Sequence, residues 1–176
     1  YERQMKKFTL KKYEKILCAK YRKGHFEGVL NIMNRLLYFI KSRYVFMGEK
    51  DFQQYLLVKK VLGKKYKINI ISCPTIREKN KVALSTRNKL LKKTSINKAS
   101  IIAKCLIKLK KDSIINNLKV LSNLSKTKSY FEKKYKIKID YLEFRDEKNL
   151  KLNNFKSKYR LFIAYNIHNV RLIDNF

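Results

Sequence analysis

Two short apolar stretches, Tyr44-Val45-Phe46-Met47 and Ile68-Asn69-Ile70-Ile71, stand on either side of a helix-length segment running from about Asp51 to Leu62. The order strand, helix, strand constrains the fold more than any other feature of the chain. A near-continuous apolar run marks a strand buried in a parallel sheet, and parallel neighbours need a crossover, which is right-handed in almost every case. The carboxyl ends of both strands therefore fall on one rim. Gly48 supplies the turn after the first strand, and Gly63 is expected to stop the helix. In open α/β sheets that rim is where ligands sit.

Each strand leads into a polar run. After the first comes Met47-Gly48-Glu49-Lys50-Asp51-Phe52-Gln53-Gln54; after the second comes Pro74-Thr75-Ile76-Arg77, leading to Ala83-Leu84-Ser85-Thr86-Arg87-Asn88. A glycine here allows a sharp turn and close backbone approach, and the helix beyond it exposes unpaired amides to an anion. Lys50 adds a mobile cation for phosphate oxygens. Asp51 can cap the helix or hold a ribose hydroxyl, and Gln54, further in, can donate and accept toward a small polar substrate. The hydroxyls of Ser85 and Thr86 with the guanidinium of Arg87 suit clamping a triphosphate as pyrophosphate leaves. Taken singly, the first run also fits an ordinary helix start and the second a solvated linker.

Around this unit, Phe26, Val29, Leu30, Met33, Leu36, Leu37 and Ile40 recur at helical spacing behind Gly24-His25. Beyond Asn88 the texture changes. Ile96 to Leu109 and Ile114 to Leu124 read as helices, with apolar Ile102, Leu106 and Leu109, then Ile114, Leu118 and Leu121. A third short helical segment is expected around Tyr130 to Tyr135, then strands at Ile139 to Arg145, Arg160 to Tyr165 and Val170 to Ile173. Helices followed by neighbouring strands indicate a small α+β unit with an antiparallel sheet. The expected division is residues 1–88 and 89–176.

With 176 residues, 45% of them hydrophobic, the chain is long enough to bury a core. Lys and Arg outnumber Asp and Glu by 44 to 13, a formal net charge of +31. Alone, that is the footprint of a nucleic-acid binder, and a basic RNA-binding or ribosome-associated protein is the rival reading. The excess is mostly lysine, accompanied by Asn, Ile and Tyr, as codon usage in an AT-rich genome would impose. Lys59, Lys60, Lys104, Lys108 and Lys110 fall on polar faces, where solvation accounts for them, so nucleic acid is not the expected partner. Cys18, Cys73 and Cys105 are odd in number and far apart, hence ordinary reduced thiols of a cytoplasmic protein, and no metal site is expected. No apolar run approaches the roughly 20 residues that span a bilayer. The start, Tyr1-Glu2-Arg3-Gln4-Met5-Lys6, has no initiator Met and reads as though cut from something longer.

Five ordered motifs carry a resemblance. They are Arg22-Lys23-Gly24-His25-Phe26-Glu27-Gly28-Val29, the run Gly48 to Gln54, the segments Pro74 to Arg77 and Ala83 to Asn88, Asp140-Tyr141-Leu142-Glu143-Phe144-Arg145-Asp146, and Arg171-Leu172-Ile173-Asp174-Asn175. In these the chain resembles the pantoate-beta-alanine ligase family, the pantothenate synthetases, from its first residues to its end. The resemblance implies an α/β fold: a partial Rossmann-like nucleotidyltransferase domain with a parallel sheet, followed by a small α+β carboxy-terminal lid. It implies a ligase that converts ATP and pantoate to pantoyl adenylate and pyrophosphate, then lets the amine of beta-alanine displace AMP. Gly48, Glu49, Lys50 and Asp51 would line the ATP site, with Lys50 on the phosphates, and Gln54 would hold pantoate. The Ile76 backbone would contact adenine, and Leu84, Ser85, Thr86 and Arg87 would form the phosphate loop. Mg2+ would accompany ATP, and the family's usual state is a homodimer.

Some family features differ. The amino-terminal His-x-Gly-His signature and first pantoate-binding Gln are not in the sequence, whose only histidines are His25 and His168. The expectation is roughly the carboxy-terminal three-fifths of a family member, either part of a longer polypeptide or a decayed, inactive homologue. The family's usual Pro is Lys23, its Asp-Gly before Ala-Leu-Ser is Asn80-Lys81, and its second Ser is Thr86. Thr keeps the hydroxyl, while loss of the glycine at Lys81 stiffens the loop. His25 is expected as a helix-entry residue and His168 in an exposed hairpin turn.

Overall fold

The computed structural model describes residues 7–153, 155 and 157–176, so the start Tyr1 to Lys6 lies outside the described residues. By contact the chain forms two compact units, Tyr1–Pro74 and Thr75–Phe176, which groups the polar segment 75–88 with the second.

In the first unit, helix α1 (His25–Ile40) precedes β1 (Tyr44–Gly48), and helix α2 (Phe52–Val58) separates β1 from β2 (Asn69–Cys73). Gly24 opens α1 in the left-handed region at φ 77, which a side chain would strain. The strands are parallel and in register from Tyr44↔Asn69 to Gly48↔Cys73, so their carboxyl ends coincide. Helix α2 packs against both strands and against α1. Phe26, Leu30, Leu37, Phe52, Tyr55, Leu57, Val58, Leu62 and Ile70 are among this unit's buried apolar residues.

Three expectations for this unit are corrected. The first strand is not buried on both faces: Val45 and Met47 are half-buried, whereas Tyr44 and Phe46 are 55% and 67% exposed. An apolar run permits double burial, but among the described residues this sheet has two strands and one alternating set of side chains stays open. Gly63 does not stop the helix. The helical path continues from α2 through a π-turn (Lys59–Gly63) into a last turn (Lys64–Tyr66) and is capped at Lys67 in the left-handed region. A Cβ at Gly63 would lie 3.4 Å from Ile70 Cγ1, an ordinary contact distance, so packing does not demand glycine there either. On α1, Leu36 and Ile40 are exposed, while Asn34 is buried within the apolar face. Its Oδ1 accepts from Lys65 Nζ (2.7 Å) and from the Tyr66 hydroxyl (2.8 Å), which meets the cost of burying an amide.

In the second unit, helices α3 (Lys93–Ile115) and α4 (Asn117–Tyr135) precede the antiparallel sheet β3 (Lys138–Asp146), β4 (Tyr159–Ile167) and β5 (Val170–Asn175), in the order β3-β4-β5. Three expected helical segments are thus two. The break is at Asn116, whose side chain accepts the Lys119 N–H (3.1 Å) and starts α4. Ile114 and Leu118 flank that reversal and are 73% and 76% exposed, so the periodicity that placed them inward fails where the helices turn back. The core includes Ile102 and Leu106 of α3, Val120, Phe131 and Tyr135 of α4, and Leu161, Ile163, Tyr165 and Ile167 of β4. On β3 the inward set changes phase from Ile139 to Leu142 and Phe144 because Asp140 is an extra residue in a bulge. His168 (φ 45) and Asn169 (φ 63) make the tight β4–β5 turn, and His168 is exposed there.

The turn after β3 is built on Asp146. Its Oδ1 accepts the amides of Lys148 (2.8 Å) and Asn149 (3.0 Å), and its Oδ2 accepts the Ser157 hydroxyl. The Ser157 hydrogen bond, aided by the Lys148 and Asn149 amides, outweighs burial and holds this carboxyl below its ordinary value. A depressed carboxyl stabilises the fold above its unfolded pKa and loses that contribution as pH falls through the folded value. Thermal melts should therefore show stability declining as pH drops below about 4, with Asp146→Asn flattening that acid limb; an unchanged limb would contradict the assignment.

Candidate functional site

At the carboxyl end of β1, Gly48 is extended (φ −66, ψ 132) and a 3-10 turn, Glu49–Asp51, leads into α2. The turn does not require glycine for its dihedrals. A Cβ at Gly48 would meet nothing within 4 Å, so what the residue provides is open space above the backbone. Asp51 occupies the N-cap position of α2 without a side-chain capping bond, a correction to one of its two expected roles; its Oδ2 lies 3.4 Å from Lys50 Nζ. Helix α2 then presents two consecutive glutamines to different surroundings. Gln53 is buried, and its Nε2 donates to the carbonyls of Glu14 (3.3 Å) and Ile16 (2.8 Å). Gln54 is half-buried, and its amide has no hydrogen-bond partner among the described residues. The first glutamine fastens the Glu14–Ile16 segment, and the second is left for other work.

That fastening is reinforced by Lys60 Nζ, 2.7 Å from Glu14 Oε1. Burial pushes the Glu14 carboxyl up, but the Lys60 ammonium and the Lys11 amide more than offset this and leave it lowered; the same contact raises Lys60. His25, the first residue of α1, has Nε2 2.7 Å from Arg22 Nη1, and its ring lies tilted against that of Phe26, 5.0 Å between centroids. A guanidinium only donates, so Nε2 accepts and the proton sits on Nδ1. This fits the helix-entry role.

The second polar run forms a small hairpin in the second unit. Arg77 bridges Ala83, Leu84 N–H donates to the Ile76 carbonyl (2.9 Å), and Glu78 N–H donates to the Val82 carbonyl (2.9 Å). The Ile76 carbonyl is thus taken by the hairpin, whose hydrogen bonds leave the Ile76 N–H aside, and the Ile76 and Leu84 side chains are exposed. Ser85 Oγ accepts the Arg87 N–H (3.3 Å) and caps a 3-10 helix, Thr86–Leu90. Arg87 Nη1 donates to the Arg171 carbonyl (3.0 Å), and among the described residues the rest of its guanidinium is not engaged. Asn88 is buried, donating through Nδ2 to Glu78 Oε1 (2.8 Å) and the Ala83 carbonyl (3.1 Å). Gly48 to Asp51 and Gln54 therefore share the first unit, and Ile76 with Leu84 to Arg87 share the second.

Sequence reasoning assigned no role to Arg77, Asn88 or Gln53, the three residues that fix these segments. Their signal was present only as motif membership. No group of three His, Cys, Asp or Glu able to hold a metal occurs among the described residues. No helix among the described residues is long and apolar enough to cross a membrane.

Lys81 sits in the hairpin turn at φ 73. The position requires the left-handed region, which costs a residue with a Cβ about 1–2 kcal/mol. Part of that is returned as unfolded-state entropy when glycine replaces it, so Lys81→Gly should stabilise the protein by roughly 0.5–1 kcal/mol. Denaturant unfolding checks this, and a destabilised variant would contradict it.

The chain is similar to known proteins over most of its length. The family model for pantoate-beta-alanine ligase matches residues 1–176. The chain is 37% identical to the pantothenate synthetase of Flavobacterium psychrophilum over 89% of its own length and 56% of the relative's. It is 38% identical to that of Leptospira interrogans over 92% of this chain and 57% of that one. It thus spans less than two thirds of these curated relatives. Among solved structures, the pantoate-beta-alanine ligase of Francisella tularensis, complexed with beta-gamma ATP and beta-alanine, is 35% identical with a TM-score of 0.74, covering 96% of this chain and 56% of the other. The pantothenate synthetase of Thermus thermophilus shares the fold at a TM-score of 0.84 and 24% identity, over 96% of this chain and 61% of that one.

Proposed function

Because the chain belongs to the pantoate-beta-alanine ligase family, we propose that it serves the ATP-dependent joining of pantoate to beta-alanine through a pantoyl adenylate. A pantoate carboxylate oxygen attacks the α-phosphorus and pyrophosphate departs. The beta-alanine amine then attacks the acyl carbon, and AMP leaves with the bonding pair. The first step concentrates negative charge on the leaving pyrophosphate, so it needs fixed cations and donors there. Lys50 is the mobile cation of the Gly48–Asp51 turn, with Glu49 and Asp51 beside it. Arg87 supplies the planar fork, which matches phosphate oxygens, and Ser85, Thr86 and the Leu84 backbone complete its loop. The Ile76 amide is the donor offered to the adenine, and Gln54 offers both donor and acceptor to pantoate.

One observation supports this reading most. Two of the side chains given these roles are not consumed by the fold: Gln54 has no partner among the described residues, and Arg87 is held through a single nitrogen, whereas their neighbours Gln53 and Asn88 are employed in packing. A cytoplasmic homodimer and Mg2+ delivered with ATP belong to the same proposal.

In the intact protein, Lys50→Ala and Arg87→Ala should each slow pyrophosphate release from ATP and pantoate by at least about tenfold, about 1.4 kcal/mol of transition-state stabilisation. Pyrophosphate release at the wild-type rate in both variants would contradict the roles assigned.

A further inference from the structure

Arg77 is the most heavily bonded side chain of the phosphate-loop segment, and none of its bonds reaches outward. Nη1 donates to Asp174 Oδ2 (2.7 Å) and the Lys81 carbonyl (3.1 Å); Nη2 donates to Asp174 Oδ1 (2.9 Å) and the Asn175 carbonyl (3.0 Å). Its guanidinium carbon stands 4.5 Å from the centroid of the Phe176 ring. Four of its five N–H donors and one face of the guanidinium are thus taken within the fold, leaving only the Nε–H. Its side chain and that of Asp174 are 20% and 10% exposed, so the pair is largely shielded from solvent. A two-point ion pair of this kind fixes orientation as well as distance.

The bond falls at an informative place. Arg77 sits directly after Ile76 and opposite Ala83, which directly precedes Leu84, so it marks the base of the hairpin from which both expected nucleotide contacts extend. A second tie runs from Arg87 Nη1 to the Arg171 carbonyl, and the Arg171 guanidinium in turn meets Asp140 Oδ2 (2.8 Å) in the β3 bulge. Both ties end on β5. The hairpin thus has an internal hydrogen-bond pattern of its own, and β5 supplies the frame that orients it.

We propose that Asp174 is a positioning residue: through its two-oxygen bond to Arg77 it orients the 76–87 hairpin so that the Ile76 backbone and the Leu84–Arg87 loop are presented together to the nucleotide. This rests on the ligase reading and adds to it a role for the carboxy-terminal strand, which itself contributes no group to the reacting atoms. Asp174→Asn keeps the shape and removes the charge; Arg77→Lys keeps the charge and removes the fork.

Both variants are tested in the full-length protein with two readouts. Hydrogen–deuterium exchange should quicken through residues 77–90 and remain at the wild-type rate in β3, β4 and α3. The adenylate-forming step should show a KM for ATP raised about tenfold, as expected for misplacement of a binding loop, while preformed pantoyl adenylate supplied at saturation reacts with beta-alanine at its wild-type rate. Exchange that rises across the whole second unit, or both steps slowed even at saturating substrate, would mean general destabilisation and overturn the proposal, as would wild-type behaviour in both assays. If the wild-type protein forms no adenylate, the ligase reading is what fails, and the exchange measurement still decides whether Asp174 holds the hairpin.

Discussion

Parallel pairing of β1 with β2 is the constraint on which the first unit depends. Parallel strands cannot be joined by a tight turn, so residues 49 to 68 must travel back as a helix before Asn69 can pair with Tyr44. That return places Gly48 and Cys73, the last residues of the two strands, side by side. The Lys50 turn follows one strand directly, and the chain leaving the other passes through Pro74 into the hairpin of the second unit.

The two polar runs solve a common problem by different means. In the first, the turn and helix belong to the sheet's own connection, and one glutamine of a consecutive pair is buried to fix the preceding segment while the other stays available. In the second, a hairpin outside the sheet is fastened by side chains: Arg77 to Asp174, Asn88 to Glu78 and Ala83, and Ser100 Oγ to the Asn80 carbonyl at 2.7 Å. A loop of that kind carries functional groups only as well as its fastenings hold them.

Much of this was legible in the sequence because it followed from periodicity. The parallel unit, the antiparallel three-strand sheet, the long α1 helix and the His168 turn were all readable from apolar spacing and turn residues. What was not legible depended on partners distant in sequence. The Gly63 signal looked like a helix stop, yet the helical path runs through it as a π-turn and continues to Tyr66. The β3 pattern concealed a bulge at Asp140, which periodicity alone reads as a fault in the strand. Arg77 and Asp174 lie in motifs that were recognised, but nothing local says that one binds the other across 97 residues. Ile114 and Leu118 illustrate the opposite failure: a correct period extended past the point where the helix reverses.

In the proposed ligase reaction the attacking atom is a carboxylate oxygen, the centre attacked is the α-phosphorus, and pyrophosphate is the group that must be held. The most direct test follows that oxygen. Pantoate labelled with oxygen-18 in its carboxylate should, after turnover with ATP and beta-alanine, yield AMP carrying one label in its phosphate, because the bridging oxygen of the acyl adenylate stays with phosphorus when the amine attacks carbon. Unlabelled AMP, or label found in inorganic phosphate beside ADP, would contradict the account.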